Sequence, residues 1–178
     1  MNATRLLICD KDGTLVSPAS AAKFVGEPWD QKPLPAVEGR LAEYVDNGWE
    51  IAIASNQAGI AAGHKSLENC ILEMKFCLKL IPTIQEAYFC PDFDGNECWQ
   101  VWDTCTESEG HRILHGGSTN PELRGLFRKP NPGMLLAAME NFRGAEEVLY
   151  IGDRPEDEAA ALAANIPFLW ANDFFGVA

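Results

Sequence analysis

Positive charge is scarce in this chain: 14 Lys and Arg stand against 26 Asp and Glu, a formal net charge of −12 over 178 residues. Such a surface repels polyanions, and duplex binding takes most of its affinity from neutralised phosphates. The balance argues against a nucleic-acid-binding protein, but it permits a small phosphorylated ligand met by a locally positive pocket. Long apolar runs are missing too. None approaches the ~20 residues that cross a bilayer, and 47% apolar with 22% charged residues reads as a soluble, globular chain. No signal-peptide layout precedes the first apolar run, so the expected location is the cytoplasm. Without a secretion signal, Cys9, Cys70, Cys77, Cys90, Cys98 and Cys105 are expected as thiols, the first three as packing residues. Repeats and low-complexity tracts are absent. The length suits a single domain with a full core.

What is present is an alternation of short apolar runs with helical patterns. Leu6-Leu7-Ile8-Cys9 predicts a buried strand, and Val37, Leu41, Tyr44 and Val45 recur at helical spacing until Asn47-Gly48. Strands are expected at Ile51–Ala54, Ala87–Cys90, Val148–Ile151 and Ile166–Trp170, with helices over 66–79, from Asn131-Pro132 to about Phe142, and over 156–164. Asn131 is the expected cap of the middle helix, with Pro132 in its first turn. This order calls for an α/β fold, a doubly wound, Rossmann-like parallel sheet with helices on both faces. The stretch from about 91 to 126 breaks the pattern and is expected as an inserted, lid-like excursion with room for a short hairpin. Residues 17–35 are too few for an independent cap domain.

Polar residues close three of these strands, and ligands of open parallel sheets bind at that carboxyl edge. Asp10-Lys11-Asp12-Gly13-Thr14 follows the first strand, Ser55-Asn56-Gln57 the second, and Gly152-Asp153 the one before the last helix. Arg128-Lys129-Pro130 sits just before a helix start. Asp10 and Asp12 repel unless a cation or shared proton relieves them, which suggests a Mg²⁺-assisted pair of nucleophile and acid/base.

In this order, the four motifs resemble the haloacid dehalogenase superfamily of phosphatases over nearly the whole chain. The resemblance implies Asp10 as nucleophile, Asp12 as general acid/base, and Ser55 and Lys129 as holders of the phosphoryl group. Mg²⁺ would be held by Asp10, the Asp12 carbonyl and Asp153, with Asp157 in support. Lys129 is expected to lower the pKa of Asp10 and keep it ionised. The stretches Ser55–Gly63 and Arg128–Leu135 are similar to subfamily IIIA, which includes heptose bisphosphate phosphatases, histidinol-phosphatases and polynucleotide 3′-phosphatases. From that branch Arg128 inherits a substrate-binding role, and Asn56 is grouped with it.

The chain departs from the branch at the zinc loop, where Asp92, Gly125 and Phe127 replace its ligands. Cys90, Cys98, Cys105 and His111, with His115 nearby, could build an unorthodox tetrahedral zinc site instead. Trp99 and Trp102 could stack on a sugar or base, or simply pack together. The leading expectation is hydrolysis of a small phosphomonoester such as a sugar (bis)phosphate. A polynucleotide 3′-phosphatase and a non-catalytic, receiver-like phosphoacceptor are the alternatives, and the acid/base position filled by Asp12 speaks against the latter.

Overall fold

The computed structural model describes residues 4–106, 110–117, 120–142 and 145–176, with side chains left undescribed over 104–115. Five parallel strands form its framework: β1 (Thr4–Cys9), β4 (Trp49–Asn56), β5 (Glu86–Cys90), β8 (Ala145–Gly152) and β9 (Phe168–Trp170). Their spatial order is β5-β4-β1-β8-β9, so β1 lies between β4 and β8. β2 (Val16–Ser17) and β3 (Lys32–Pro33) make a separate two-stranded ribbon just after β1.

Residues along each strand alternate between two cores, as a period of two demands. Leu7, Cys9, Ile51, Ile53, Ala87 and Phe89 face one core, which α1 (Val37–Asp46), α2 (Leu67–Leu80) and α5 (Ala171–Phe175) cover. Leu6, Ile8, Ala52, Ala54, Tyr88 and Cys90 face the other, covered by α3 (Gly133–Asn141) and α4 (Pro155–Ala164). Both faces of the sheet are buried, which explains why the strands read as continuous apolar runs.

The stretch after β5 differs from the expected excursion. β6 (Trp99–Thr106) and β7 (Gly110–Gly117) form an antiparallel hairpin, and β6 pairs with β5, so the middle of this stretch extends the sheet. Alternation was hidden there because polar residues fall at irregular places along β6, as at Gln100, Asp103 and Thr104, which an edge hairpin open to solvent tolerates.

Two helix starts illustrate how local chemistry does and does not serve them. Ser66 caps α2 by accepting from the Asn69 amide at 3.1 Å. Asn131 does not cap α3; Pro132 occupies the cap position and no side chain serves it. Close packing replaces the cap. The Gly133 amide donates to the Leu126 carbonyl at 2.8 Å, and a Cβ at Gly133 would lie 2.5 Å from that same oxygen. Gly133 thus lets residues 126–133 fold tightly onto the start of α3. Gly133→Ala should destabilise the protein by about 1–3 kcal/mol through overpacking, read as a lower urea midpoint at unchanged slope.

Candidate active site

The topology brings the polar strand ends together. β4, β1 and β8 are neighbours and parallel, so Ser55, Asp10 and Asp153 emerge at one edge. The Asp10 amide still donates to the Ile151 carbonyl at 2.8 Å, which anchors the first carboxylate to the sheet. Gly13 then turns the chain at φ 90, and a Cβ there would meet an Asp153 carboxylate oxygen at 2.4 Å. The glycine serves both demands, positive φ and close approach.

Lys129 stands at the centre. Its Nζ donates to Asp10 Oδ1 at 2.6 Å, to the Ala54 carbonyl at 2.9 Å and to the Tyr150 hydroxyl oxygen at 3.0 Å. It also pairs with Asp157 Oδ1 at 2.6 Å. Tyr150 donates to Asp157 Oδ1 at 2.8 Å, and Asp157 Oδ2 accepts from the Arg154 amide at 3.0 Å. Burial disfavours the charged form of Lys129, but Asp10 and Asp157 outweigh it and raise its pKa. Asn56 fixes the lysine from behind: its Nδ2 donates to the Lys129 carbonyl and its Oδ1 accepts from the Lys129 amide, both at 3.0 Å. Expected among the substrate-binding residues, Asn56 instead has both side-chain groups engaged on the main chain of Lys129.

Asp10 is only 6% exposed. Burial pushes its carboxyl up to about 7, Asp157 and Asp12 push the same way, and Lys129 only partly counters them. Lys129 lowers the Asp10 pKa as expected, but burial is the larger effect and the net shift is upward. Asp12 behaves oppositely. Its partial burial favours the neutral form, but the Lys11 ammonium and hydrogen bonds from Lys11 and Gln57 hold it below the usual carboxylate range.

Asp10, Asp153 and Asp157 offer carboxylate oxygens that all lie within 4.8 Å of one another. One ammonium among three carboxylates leaves an excess of negative charge, and hard oxygen donors suit a divalent cation. Asp157 is committed to Tyr150, Lys129 and the Arg154 amide, which leaves Asp10 and Asp153 as the freer ligands. Thr14 orients Asp153 by donating to its Oδ1 at 3.2 Å.

The expected zinc set does not assemble. Phe89 pairs with Trp99, so Cys90 and Cys98 adjoin at one end of β5 and β6. Cys105 pairs with His111 at the far end of the hairpin. Seven residues of extended chain separate Cys98 from Cys105, roughly 20 Å, whereas zinc ligands lie ~2 Å from the ion. The side chains of Cys105, His111 and His115 lie outside the described residues. Cys90 and Cys98 are buried thiols, and Asp92 closes the loop between them by accepting from the Asn96 and Glu97 amides at 3.0 and 2.9 Å. The Arg128 guanidinium lies over the ring of Phe93, 5.5 Å from its centroid, and Phe93 itself is 59% exposed.

Several site residues escaped the sequence reading: Tyr150, Thr14, Lys11, Lys65 and Glu73. Glu73 carried a usable signal, since helical spacing sets it beside Cys70 and Cys77 on the buried face of α2. A carboxylate there requires a cation, and Lys11 supplies it at 2.6 Å.

Residues 5–175 match the family model described as polynucleotide kinase 3 phosphatase. The chain belongs to that family. Among curated relatives, the D-glycero-beta-D-manno-heptose-1,7-bisphosphate 7-phosphatase of Pseudomonas putida is 32% identical over 164 residues, covering 90% of this chain and 78% of that protein. The enzyme of the same name from Yersinia pestis is 26% identical, covering 90% and 76%. In fold, the chain is similar to the D,D-heptose 1,7-bisphosphate phosphatase of B. bronchiseptica, crystallised with magnesium and phosphate. That likeness has a TM-score of 0.65 at 20% identity and covers 92% of this chain and 78% of the other. Membership makes the protein a phosphatase of the haloacid dehalogenase superfamily, and the shared edge of the sheet is its candidate active site.

The electrostatics can be checked without a substrate. In the metal-free protein the Asp10 carboxyl carbon should titrate near pH 7 by ¹³C NMR. Lys129→Met should move that midpoint upward, because the ammonium is what opposes burial. A midpoint near 4 in the intact protein would mean that the Lys129 contact outweighs burial.

Proposed function

We propose that the protein is a Mg²⁺-dependent phosphomonoester hydrolase that works through an aspartyl-phosphate and acts on a small sugar bisphosphate. The observation that carries this reading is the buried Asp10–Lys129 contact of 2.6 Å, beside Asp12 and Asp153 at one sheet edge. In the first half-reaction an Asp10 oxygen attacks phosphorus, and the ester P–O bond breaks. Asp12 gives its proton to the departing alkoxide. In the second half-reaction Asp12 takes a proton from water as the water oxygen attacks phosphorus. The acyl-phosphate bond breaks, inorganic phosphate leaves, and Asp10 is a carboxylate again.

Asp12 rests as a carboxylate, the form that the second step uses. A phosphate dianion arriving beside it disfavours that charge, so substrate raises its pKa and loads the proton needed for the first step. Asp10, the Asp12 carbonyl and Asp153 would hold Mg²⁺, which when bound supplies positive charge that stabilises both the ionised nucleophile and the phosphoryl oxygens. Ser55 and Lys129 hold the transferring group, and Arg128 engages the remainder of the substrate. Lys11, Lys65 and Lys129 are each paired with carboxylates here, so the positive charge that a phosphorylated ligand needs would come from Arg128 and the bound cation.

Release of phosphate from p-nitrophenyl phosphate should need Mg²⁺ and stop with EDTA. Asp10→Asn should lower turnover by at least about 10³-fold, since no covalent route remains. Turnover near the intact rate in that variant would remove Asp10 as nucleophile.

The substrate is tested by kcat/KM on a panel. Heptose and hexose bisphosphates should exceed histidinol phosphate and 3′-phosphorylated oligonucleotides by tenfold or more. The family description favours the oligonucleotide as second reading; the acidic surface and the relatives' names favour the sugar. Preference for the oligonucleotide would replace the sugar assignment and leave the phosphatase chemistry intact.

A further inference from the structure

Beside the nucleophile, Glu73, Lys11, Lys65 and Gln57 form a largely buried polar set that the reaction as written does not use. Glu73, on α2, is 3% exposed and holds two lysines. Its Oε1 accepts from Lys11 at 2.6 Å and its Oε2 from Lys65 at 2.5 Å. Lys11 goes on to donate to Asp12 Oδ1 at 2.7 Å. Lys65 goes on to donate to Gln57 Oε1 at 3.1 Å. The Gln57 amide nitrogen then donates to Asp12 Oδ2 at 2.8 Å and to Ser55 Oγ at 2.9 Å. The ring is closed: Glu73, Lys11, Asp12, Gln57, Lys65 and back to Glu73. It occupies both oxygens of Asp12 and both oxygens of Glu73.

The direction of each bond follows from chemistry. A lysine ammonium only donates, so the Gln57 oxygen must face Lys65 and its NH₂ must face Asp12 and Ser55. Ser55 Oγ accepts from that NH₂, so its own proton is left to donate elsewhere. We infer that Glu73 is a positioning residue that acts through Lys65 and Gln57 to aim the Ser55 hydroxyl as a donor toward the phosphoryl group, and through Lys11 to hold the Asp12 carboxylate in register. Two ammoniums balance two carboxylates, so the ring is neutral. It can be buried without the cation that the Asp10 cluster requires.

This rests on the phosphatase reading and deepens it. Without Glu73 the two lysines lose their common anchor, and Gln57 is held only from the Asp12 side. The Gln57 amide then shifts on its single remaining tether, and the Ser55 hydroxyl that it orients shifts with it.

The test measures kcat and KM for p-nitrophenyl phosphate with saturating Mg²⁺, per folded molecule, with the folded fraction taken from near-ultraviolet circular dichroism. Glu73→Gln should lower kcat by about 10–100-fold with little change in KM, the scale of a mispositioned catalytic group. If that variant fails to fold, Lys65→Met, at the more open end of the ring, tests the same arm. It should lower kcat in the same direction, while Lys65→Arg, which still donates to both Glu73 and Gln57, should restore most of the rate. Loss explained wholly by a smaller folded fraction, or Lys65→Arg no better than Lys65→Met, would overturn the inference. An inert wild-type enzyme would overturn the phosphatase reading and this inference together; an active one with unaffected variants would overturn this inference alone.

Discussion

One buried ammonium holds this site together. Lys129 joins Asp10, at the end of β1, to Asp157, in the first turn of α4, and it caps the Ala54 carbonyl of β4 on the way. Removing it would leave two buried carboxylates facing each other, and like charges in a poorly solvated place do not persist. Its contacts therefore tie three adjacent secondary-structure elements to one point. That point is where the family's chemistry is expected.

The rest of the fold reads as the means of delivering that ammonium. Lys129 belongs to a loop, and loops place side chains loosely unless something fixes their backbone. Here Asn56 clamps its peptide groups on one side, and the tight packing of Gly133 on Leu126 fixes the segment that carries it. The Gly95 carbonyl accepts from the Gly125 and Phe127 amides at 2.9 and 3.1 Å, which ties the same segment to the loop after β5. The site owes its order to main-chain bonds made well away from the reacting atoms.

Much of this was legible in the sequence, for physical reasons. Buried parallel strands must be apolar throughout, so β1, β4, β5 and β8 stood out as apolar runs, and the polar residues that end them marked the ligand edge. Asp10, Asp12, Ser55 and Asp153 stand at those ends, whereas Lys129 was singled out before a helix start by the resemblance of its motif to the superfamily. The hairpin of β6 and β7 was expected only as a short one inside the excursion, and its two strands were not placed, because an edge hairpin admits polar residues and loses the apolar signature. The closed ring through Glu73 was not legible either. It joins β1, the end of β4 and α2, and no local spacing encodes a bond between residues 11 and 73. Zinc ligation by Cys90, Cys98, Cys105 and His111 looked available in one dimension because residue types were right, and strand register then set the two pairs at opposite ends of the hairpin.

Asp10 and Asp12 are separated by one residue yet lie in opposite electrostatic surroundings. Asp10 sits in a cluster short of positive charge, and burial lifts its pKa to about 7. Asp12 sits in a neutral ring whose lysine and amide donors pull its pKa down. Environments that push two carboxylates apart are how one site separates two roles. On the proposed mechanism the resting order is the reverse of the working one, since the nucleophile must be ionised and the acid protonated. A divalent cation held by Asp10 and Asp153 would lower the first pKa, and a phosphate dianion beside Asp12 would raise the second. Each ligand would thus correct the group nearest to it, and the first step would need both. The two carboxylates can share one turn of chain because the groups that tune them, Lys129 on one side and Lys11 with Gln57 on the other, come from different parts of the fold.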